Sequence, residues 1–185
     1  MPRNSKKDSP WVDLDDLGTG LTVNHFLTTL LSQVNNALRR DVTTVYAEKY
    51  GLSVSEWRVL SLVAHAGDIS FGDLVTQSTS DKALVSRTIR LLESRNLVEI
   101  RPESPDAGKR LRCRITTAGK ALHAKVIPHA KRAQAQVLRV LAPDQRDHLF
   151  HSLQILRHHL LASDGTDNDD PYKLRVTAKV RAKKI

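Results

Sequence analysis

SDKALVSRTIRLLESRNLVEIRPESPDAGKRLRCRIT, residues 80–116, decides how this chain is read. Its first half has helical spacing. Val85, Ile89 and Leu92 recur at four and three and share one face; Lys82, Ser86 and Arg90 recur at four and four on another, with Arg87 beside them. Asn96 supplies a stop, because Asn tolerates the left-handed conformation. The second half changes period. In LVEIR, Val98 and Ile100 alternate with Glu99 and Arg101; in RLRCRI, Leu111, Cys113 and Ile115 alternate with Arg110, Arg112 and Arg114. Period two predicts half-buried strands. PESPDAGK between them has the Pro, Asp and Gly of a loop. A basic helix followed by a basic two-stranded ribbon puts positive charge on two elements that can touch one polyanion.

Upstream, LSVSEWRVLSLVAHAG predicts a helix that opens with Ser53 and Glu56 in a capping box, buries Trp57, Leu60 and Val63/Ala64, and stops at Gly67. ISFGDLVTQ repeats the pattern in miniature, with Ser70 as N-cap and Asp73 three residues on. Short helix, tight turn and a helix with one basic face make a helix-turn-helix, and the ribbon is its wing. Further upstream, Val23, Phe26, Leu27, Leu30, Leu31, Val34 and Leu38 predict one amphipathic helix, with a continuation or short second helix through Val42, Val45 and Tyr46. Downstream, a long helix from Thr117 to about Leu141 is expected to break or bend at Pro128. Another follows with Pro143 at its first position and a seam of Leu149, Leu153, Leu156 and Leu160 suited to a second helix.

The formal net charge of +9 points to an anionic partner, nucleic acid before a membrane surface. Aromatic content of 4% argues against a stacking platform for single strands. A single cysteine, Cys113, excludes an internal disulfide and any multi-cysteine zinc site. No window is apolar enough for a membrane span and the N-terminus has no signal-like apolar run, so a cytoplasmic protein is expected. Gly-rich phosphate loops, nucleophile elbows, paired carboxylates and Cys–His arrangements are missing, so no enzymatic activity and no cofactor are expected.

The motifs LSVSEWRVLSLVA, DKALVSRTIRLLESRNLVEIRP and ITTAGKAL, in this order, resemble the MarR family of winged helix-turn-helix transcriptional regulators over roughly residues 21–162. The resemblance implies a mainly α fold with a small β-wing. It divides the matched part into a helical dimerisation region (21–50 and 117–162) and the winged helix-turn-helix domain (51–116); outside it, the polar residues 1–20 read as a flexible N-terminal arm and the acidic-then-basic residues 163–185 as a disordered tail. It implies a homodimer on a palindromic double-stranded DNA operator. The candidate DNA contacts are Ser80, Lys82, Ser86, Arg87 and Arg90, of which Arg87 and Arg90 suit guanine because the guanidinium fork matches O6 and N7. Lys109, Arg110 and Arg112 are the wing candidates. The wing is one residue longer than the family pattern, so either Arg110 or Lys109 stands at its tip. Asn96 replaces a frequent Gly, and Ala142 stands where a Ser cap is common.

The resemblance also implies a cleft between dimer helices and winged domain for a small aromatic or heteroaromatic carboxylate, of the hydroxynicotinate or phenolic-acid kind. The matching residues are Thr22, Asn24 and Trp57. His25 lies beside them, and Arg39 or Arg40 is available for the carboxylate. Ser61 occupies a position where some members carry Arg. Trp57 as plain core and Asn24 as plain helix cap is the competing reading. A ligand-independent architectural DNA-binding protein is a second alternative. A metal-responsive regulator, through His148, His151, His158 and His159, and an oxidant-responsive one, through Cys113, are further alternatives of the same fold. No metal site is expected, because acidic ligands near those histidines are lacking, and Cys113 falls on the inward face of its strand.

Overall fold

The computed structural model describes residues 9–103 and 110–162, with the side chains of 161 and 162 left aside. The fold is mainly α-helical with one small antiparallel sheet. The chain divides into two compact units, one ending at Gln134 and the other beginning at Ala135.

The winged domain assembles from locally signalled pieces. Helix α3 (Val54–Ala66) opens on the expected capping box: Ser53 Oγ accepts from the Glu56 amide at 3.2 Å, and Glu56 Oε2 accepts from the Ser53 amide at 2.9 Å. It ends at Gly67, whose φ of 72° suits a residue without Cβ. Strand β1 (Asp68–Ser70) follows, and then α4 (Phe71–Ser78), where Ser70 Oγ accepts from the Asp73 amide. Thr79, in the left-handed region, turns the chain into α5 (Lys82–Ser94), capped by Asp81 Oδ1 on the Leu84 amide at 2.7 Å. Asn96, at φ 56°, makes the expected stop. Strands β2 (Val98–Pro102) and β3 (Leu111–Ile115) form the ribbon.

The ribbon has a third strand that the alternating pattern does not announce. The order is β1-β3-β2, all antiparallel, with Cys113 facing Ile69 on one side and Ile100 on the other. Leu52, Leu60, Val63, Leu74, Val85, Ile89, Leu92, Val98 and Cys113 close a core between α3, α4, α5 and this sheet. Each fully buried aliphatic side chain contributes about 1.5–3 kcal/mol. Leu111 departs from its expected inward position: it is 39% exposed, because it pairs with Pro102 at the far end of the ribbon, beyond the core.

The N-terminal region differs in detail from the single helix expected. Residues 9–20 form turns, with Asp15 Oδ1 accepting from the Thr19 amide and Trp11 Nε1 donating to the His25 carbonyl at 2.7 Å. Val23–His25 is a separate 3-10 turn, and Phe26 is extended, so the helix proper begins one residue later as α1 (Leu27–Leu38). A π-helical segment, Arg39–Thr43, joins it to α2 (Thr44–Glu48). There the amide and hydroxyl of Thr44 both donate to the Arg39 carbonyl, the bond that widens the turn.

Helix α6 (Thr117–Leu138) runs through Pro128 without a break and stops three residues short of Leu141. A proline inside a helix costs about 3 kcal/mol. Here burial of Val126 and Ala130 on either side opposes that cost. In the second unit, α7 (Pro143–Ala162) starts without a side-chain cap from Ala142; Gln145 Oε1 accepts the Ala142 amide at 2.8 Å instead.

Candidate nucleic-acid interface and effector site

Helix α5 turns Val85, Thr88, Ile89 and Leu92 into the core and so must present the opposite face. Lys82, Arg87 and Arg90 are exposed there and Ser86 is half-buried. Among the described residues, neither the Arg87 nor the Arg90 guanidinium has a hydrogen-bond or carboxylate partner. Both forks are therefore available to a ligand. Ser80 differs: its hydroxyl donates to the Ser78 carbonyl at 3.2 Å and helps close the turn into α5.

The ribbon arginines have a different fate. Register places Arg101 directly opposite Arg112, two like charges that repel across a sheet. Asp68 of β1 resolves this. Its Oδ1 accepts from Arg112 Nε at 2.7 Å, and its Oδ2 accepts from Arg101. Partial burial pushes the Asp68 carboxyl up, but bonds and charge from Arg112 and then Arg101 outweigh it and hold the group below the ordinary carboxylate range. Arg112 also donates to the Asp68 carbonyl and lies 3.7 Å from Glu103. Arg112, expected as a wing contact, is engaged within the sheet: through Asp68 it staples β1 to β3. Arg101 and Arg95 have Glu99 and Glu93 as near neighbours in sequence but pair elsewhere. Arg101 binds Asp68, and Arg95 binds Glu56 at 2.8 Å and the Gly51 carbonyl. Arg110 remains exposed at the ribbon end, 3.4 Å from Glu103. Lys109 lies outside the described residues.

Among the described residues, no hydrogen bond or ring contact joins Trp57 to Thr22, Asn24, His25 or Arg39. Trp57 is buried. Its Nε1 donates to the Tyr46 hydroxyl at 2.9 Å, Tyr46 meets it edge-on, and His123 of α6 stacks on it with centroids 5.5 Å apart and planes 16° off parallel. Burial pushes the His123 imidazole below its ordinary pKa, favouring the neutral ring. Both the Trp57 ring and its donor are thus satisfied as core. Thr22 and Asn24 are exposed on the 3-10 turn, and His25 Nδ1 accepts from the Thr22 amide at 3.4 Å. Arg40 is bound to Asp41. Arg39 lines a separate cleft of about 330 Å³ with Arg58 and the turn residues Thr79–Asp81. The contacts of Tyr46, His123 and Asp68 leave no mark on the sequence, since each meets its partner across a separation that carries no periodic signal. Ser61 Oγ is buried without a hydrogen-bond partner, one helical turn beyond Trp57.

Cys113 is fully buried, and burial, followed by the charges of Glu93 and Asp68, pushes its thiol up to about 11, which suppresses the reactive thiolate. Among the described residues no three His, Cys, Asp or Glu side chains gather as a metal site, and no helix is long and apolar enough to cross a membrane. His151 lies 3.4 Å from Asp147 on α7.

Residues 50–110 match the MarR family model, a segment that runs from the approach to α3 to the foot of β3. The HTH-type transcriptional repressor Rv2887 of Mycobacterium tuberculosis (strain H37Rv) is 29% identical over 119 residues, 64% of this chain and 84% of that one. A MarR/EmrR family transcriptional regulator from Acinetobacter sp. ADP1 shares 27% identity and a TM-score of 0.66, over 76% of this chain and 98% of its own. BpsR of Bordetella bronchiseptica, solved to explain regulation of its DNA binding by 6-hydroxynicotinic acid, shares the fold at 23% identity and a TM-score of 0.57, over 68% of this chain and 98% of its own. The exposed basic helix, the ribbon beside it and these likenesses agree: residues 50–110 match the MarR family, and the chain has the winged-helix fold of MarR-family transcriptional regulators.

Proposed function

We propose that this chain is a homodimeric repressor that binds a palindromic double-stranded operator and leaves it when a small aromatic or heteroaromatic acid binds. The observation that carries the DNA-binding part is the pair of exposed, uncommitted guanidiniums on α5, Arg87 and Arg90. A fork held on a rigid helix, opposite a packed face, is the arrangement that reads guanine in a major groove. Residues 21–50 and 117–162 serve as the dimerisation region in this reading. Support comes from apolar surface left open: Leu30, Leu31 and Val34 on α1, and Leu149, Phe150, Leu153 and Ile155 on α7, are all more than a third exposed. The effector part rests on the BpsR relative and on the buried, unpartnered Ser61 hydroxyl one turn from Trp57. A flat ligand stacking on Trp57 must displace His123, and it lowers DNA affinity by as much as it prefers the displaced state.

The test is recovery of genomic fragments on immobilised protein, followed by mobility shifts. Arg90→Ala is expected to cost about 1–3 kcal/mol per base contact and to relax sequence preference at one position of each half-site. Unchanged preference removes α5 as the reader. In the same assay hydroxynicotinates, salicylate and hydroxycinnamates are titrated. Release of DNA that survives Trp57→Ala in a folded variant places the effector elsewhere.

A further inference from the structure

The cleft that holds Arg39 takes no part in base reading by α5 or in effector stacking on Trp57. Its walls come from α1, from the first turn of α3 and from the turn that leads into α5. Arg58 projects into it half-buried. Its Nη1 donates to the Ser78 carbonyl at 3.2 Å and to Thr79 Oγ1 at 3.3 Å, both neutral acceptors, and no carboxylate lies within ion-pair distance among the described residues. Arg39, also on the wall, has no partner for its guanidinium among the described residues. Two arginines therefore face one carboxylate, Asp81, which is engaged in capping α5. A half-buried charge without a counterion is costly to maintain. Val54 and Ser55 line the same space and belong to the first turn of α3, where the amides lack intrahelical acceptors.

We propose that this cleft is an anion site whose occupant is a backbone phosphate of the operator. Two features select that anion. The wall includes the Thr79–Asp81 turn, so an anion here sits immediately beside the start of the helix that carries Arg87 and Arg90. The donors are a bidentate fork, a second guanidinium and a hydroxyl, Ser55, the set that holds a phosphate without reading a base. The phosphate ties α1 and α3 to the turn and so fixes the angle at which α5 enters the groove. This inference rests on the DNA-binding reading.

The experiment compares wild type with Arg58→Gln, Arg58→Lys and Arg39→Gln on the recovered operator and on a scrambled duplex of equal length, across a salt series. Glutamine at 58 keeps a donor to the Ser78 carbonyl, and thermal melts verify that each variant folds. Both Gln variants are expected to weaken binding to the two duplexes by the same factor and to lower the slope of log K against log salt by about 0.9 for each phosphate that is no longer neutralised. Arg58→Lys is expected to retain the slope. Unchanged affinity and slope in both Gln variants overturns the proposal while leaving the DNA-binding reading intact; failure of the wild type on every duplex overturns both. A second arm titrates inorganic phosphate without DNA. Phosphate binding that Arg58→Gln abolishes, with DNA binding untouched, assigns the cleft to a free anion and overturns the operator phosphate.

Discussion

The outer face of α5 and the ribbon carry similar positive charge in sequence and put it to different uses in space. On α5, Arg87 and Arg90 point away from a packed face and meet no acid among the described residues. On the ribbon, Arg101 and Arg112 lie across from each other and share Asp68. The first pair is available for recognition, and the second holds three strands in register. Counting basic residues cannot separate these roles. The separation depends on whether an acid from elsewhere in the chain arrives at the same place.

The comparison breaks most severely if the ribbon is disturbed at its base. Gly119, at the start of α6, packs so close to β2 that a Cβ there falls 2.0 Å from the Leu97 carbonyl oxygen and 3.0 Å from Ile115 Cγ1. The Leu97 carbonyl also accepts the Thr116 amide. Neither backbone can yield without moving the sheet. Gly119→Ala is expected to destabilise the domain by about 3 kcal/mol or more, the upper end for overpacked cores. Arg90→Ala should leave the melting temperature in place. Equal melts for wild type and Gly119→Ala mean the ribbon is not anchored where the structure puts it.

A smaller effect is expected at the staple. Asp68→Asn leaves Arg101 and Arg112 facing each other with a neutral amide between them, at a cost of about 1–2 kcal/mol, since the bonds are charged but part-exposed. Its pH dependence has a definite sign. The folded-state pKa of Asp68 is depressed, so its contribution is full above the unfolded value of about 3.9 and is lost as pH falls through the folded one. Chemical denaturation of wild type and Asp68→Asn should therefore differ at pH 7 and converge in strong acid. A difference that widens in acid contradicts the staple.

Much of this was legible because it is local. The capping box of α3, the Ser70 cap of α4, the two faces of α5, the Asn96 stop and the alternation in β2 and β3 all lie within a few residues of sequence. Strand β1 was not legible: three residues carry no period, and Asp68–Ser70 becomes a strand only by pairing with Arg112–Arg114, more than forty positions away. The same distance hid Asp68 as the partner of Arg112. Trp57 was recognisable as a large apolar position, but not its enclosure by Tyr46 and His123. Pro128 predicted a break or a bend; the helix runs on without the break, and burial of Val126 and Ala130 opposes the cost of the proline.

The smallest effect probes the boundary between the two kinds of arginine. Glu103 sits where the ribbon leaves the described residues, 3.4 Å from Arg110 Nε and 3.7 Å from Arg112 Nη1. Arg110 is about three-quarters exposed and Arg112 about a third, so one acid touches both an exposed charge and a stapled one. Exposed pairs at such distances contribute about 0–1 kcal/mol. Asp68 already holds Arg112, so Glu103→Gln is expected to change stability by less than about 0.5 kcal/mol. Its effect on DNA should be larger than its effect on folding. Removing one negative charge beside Arg110 raises the local potential, and duplex affinity should rise by roughly twofold at low salt and return to the wild-type value at high salt, where the Debye length is about 3 Å. Melts and a salt series of mobility shifts measure the two quantities separately. A large loss of stability makes Glu103 part of the staple and extends the structural charge to the ribbon end. An unchanged affinity at every salt concentration takes Arg110 out of the interface and leaves α5 to carry recognition with the cleft beside it.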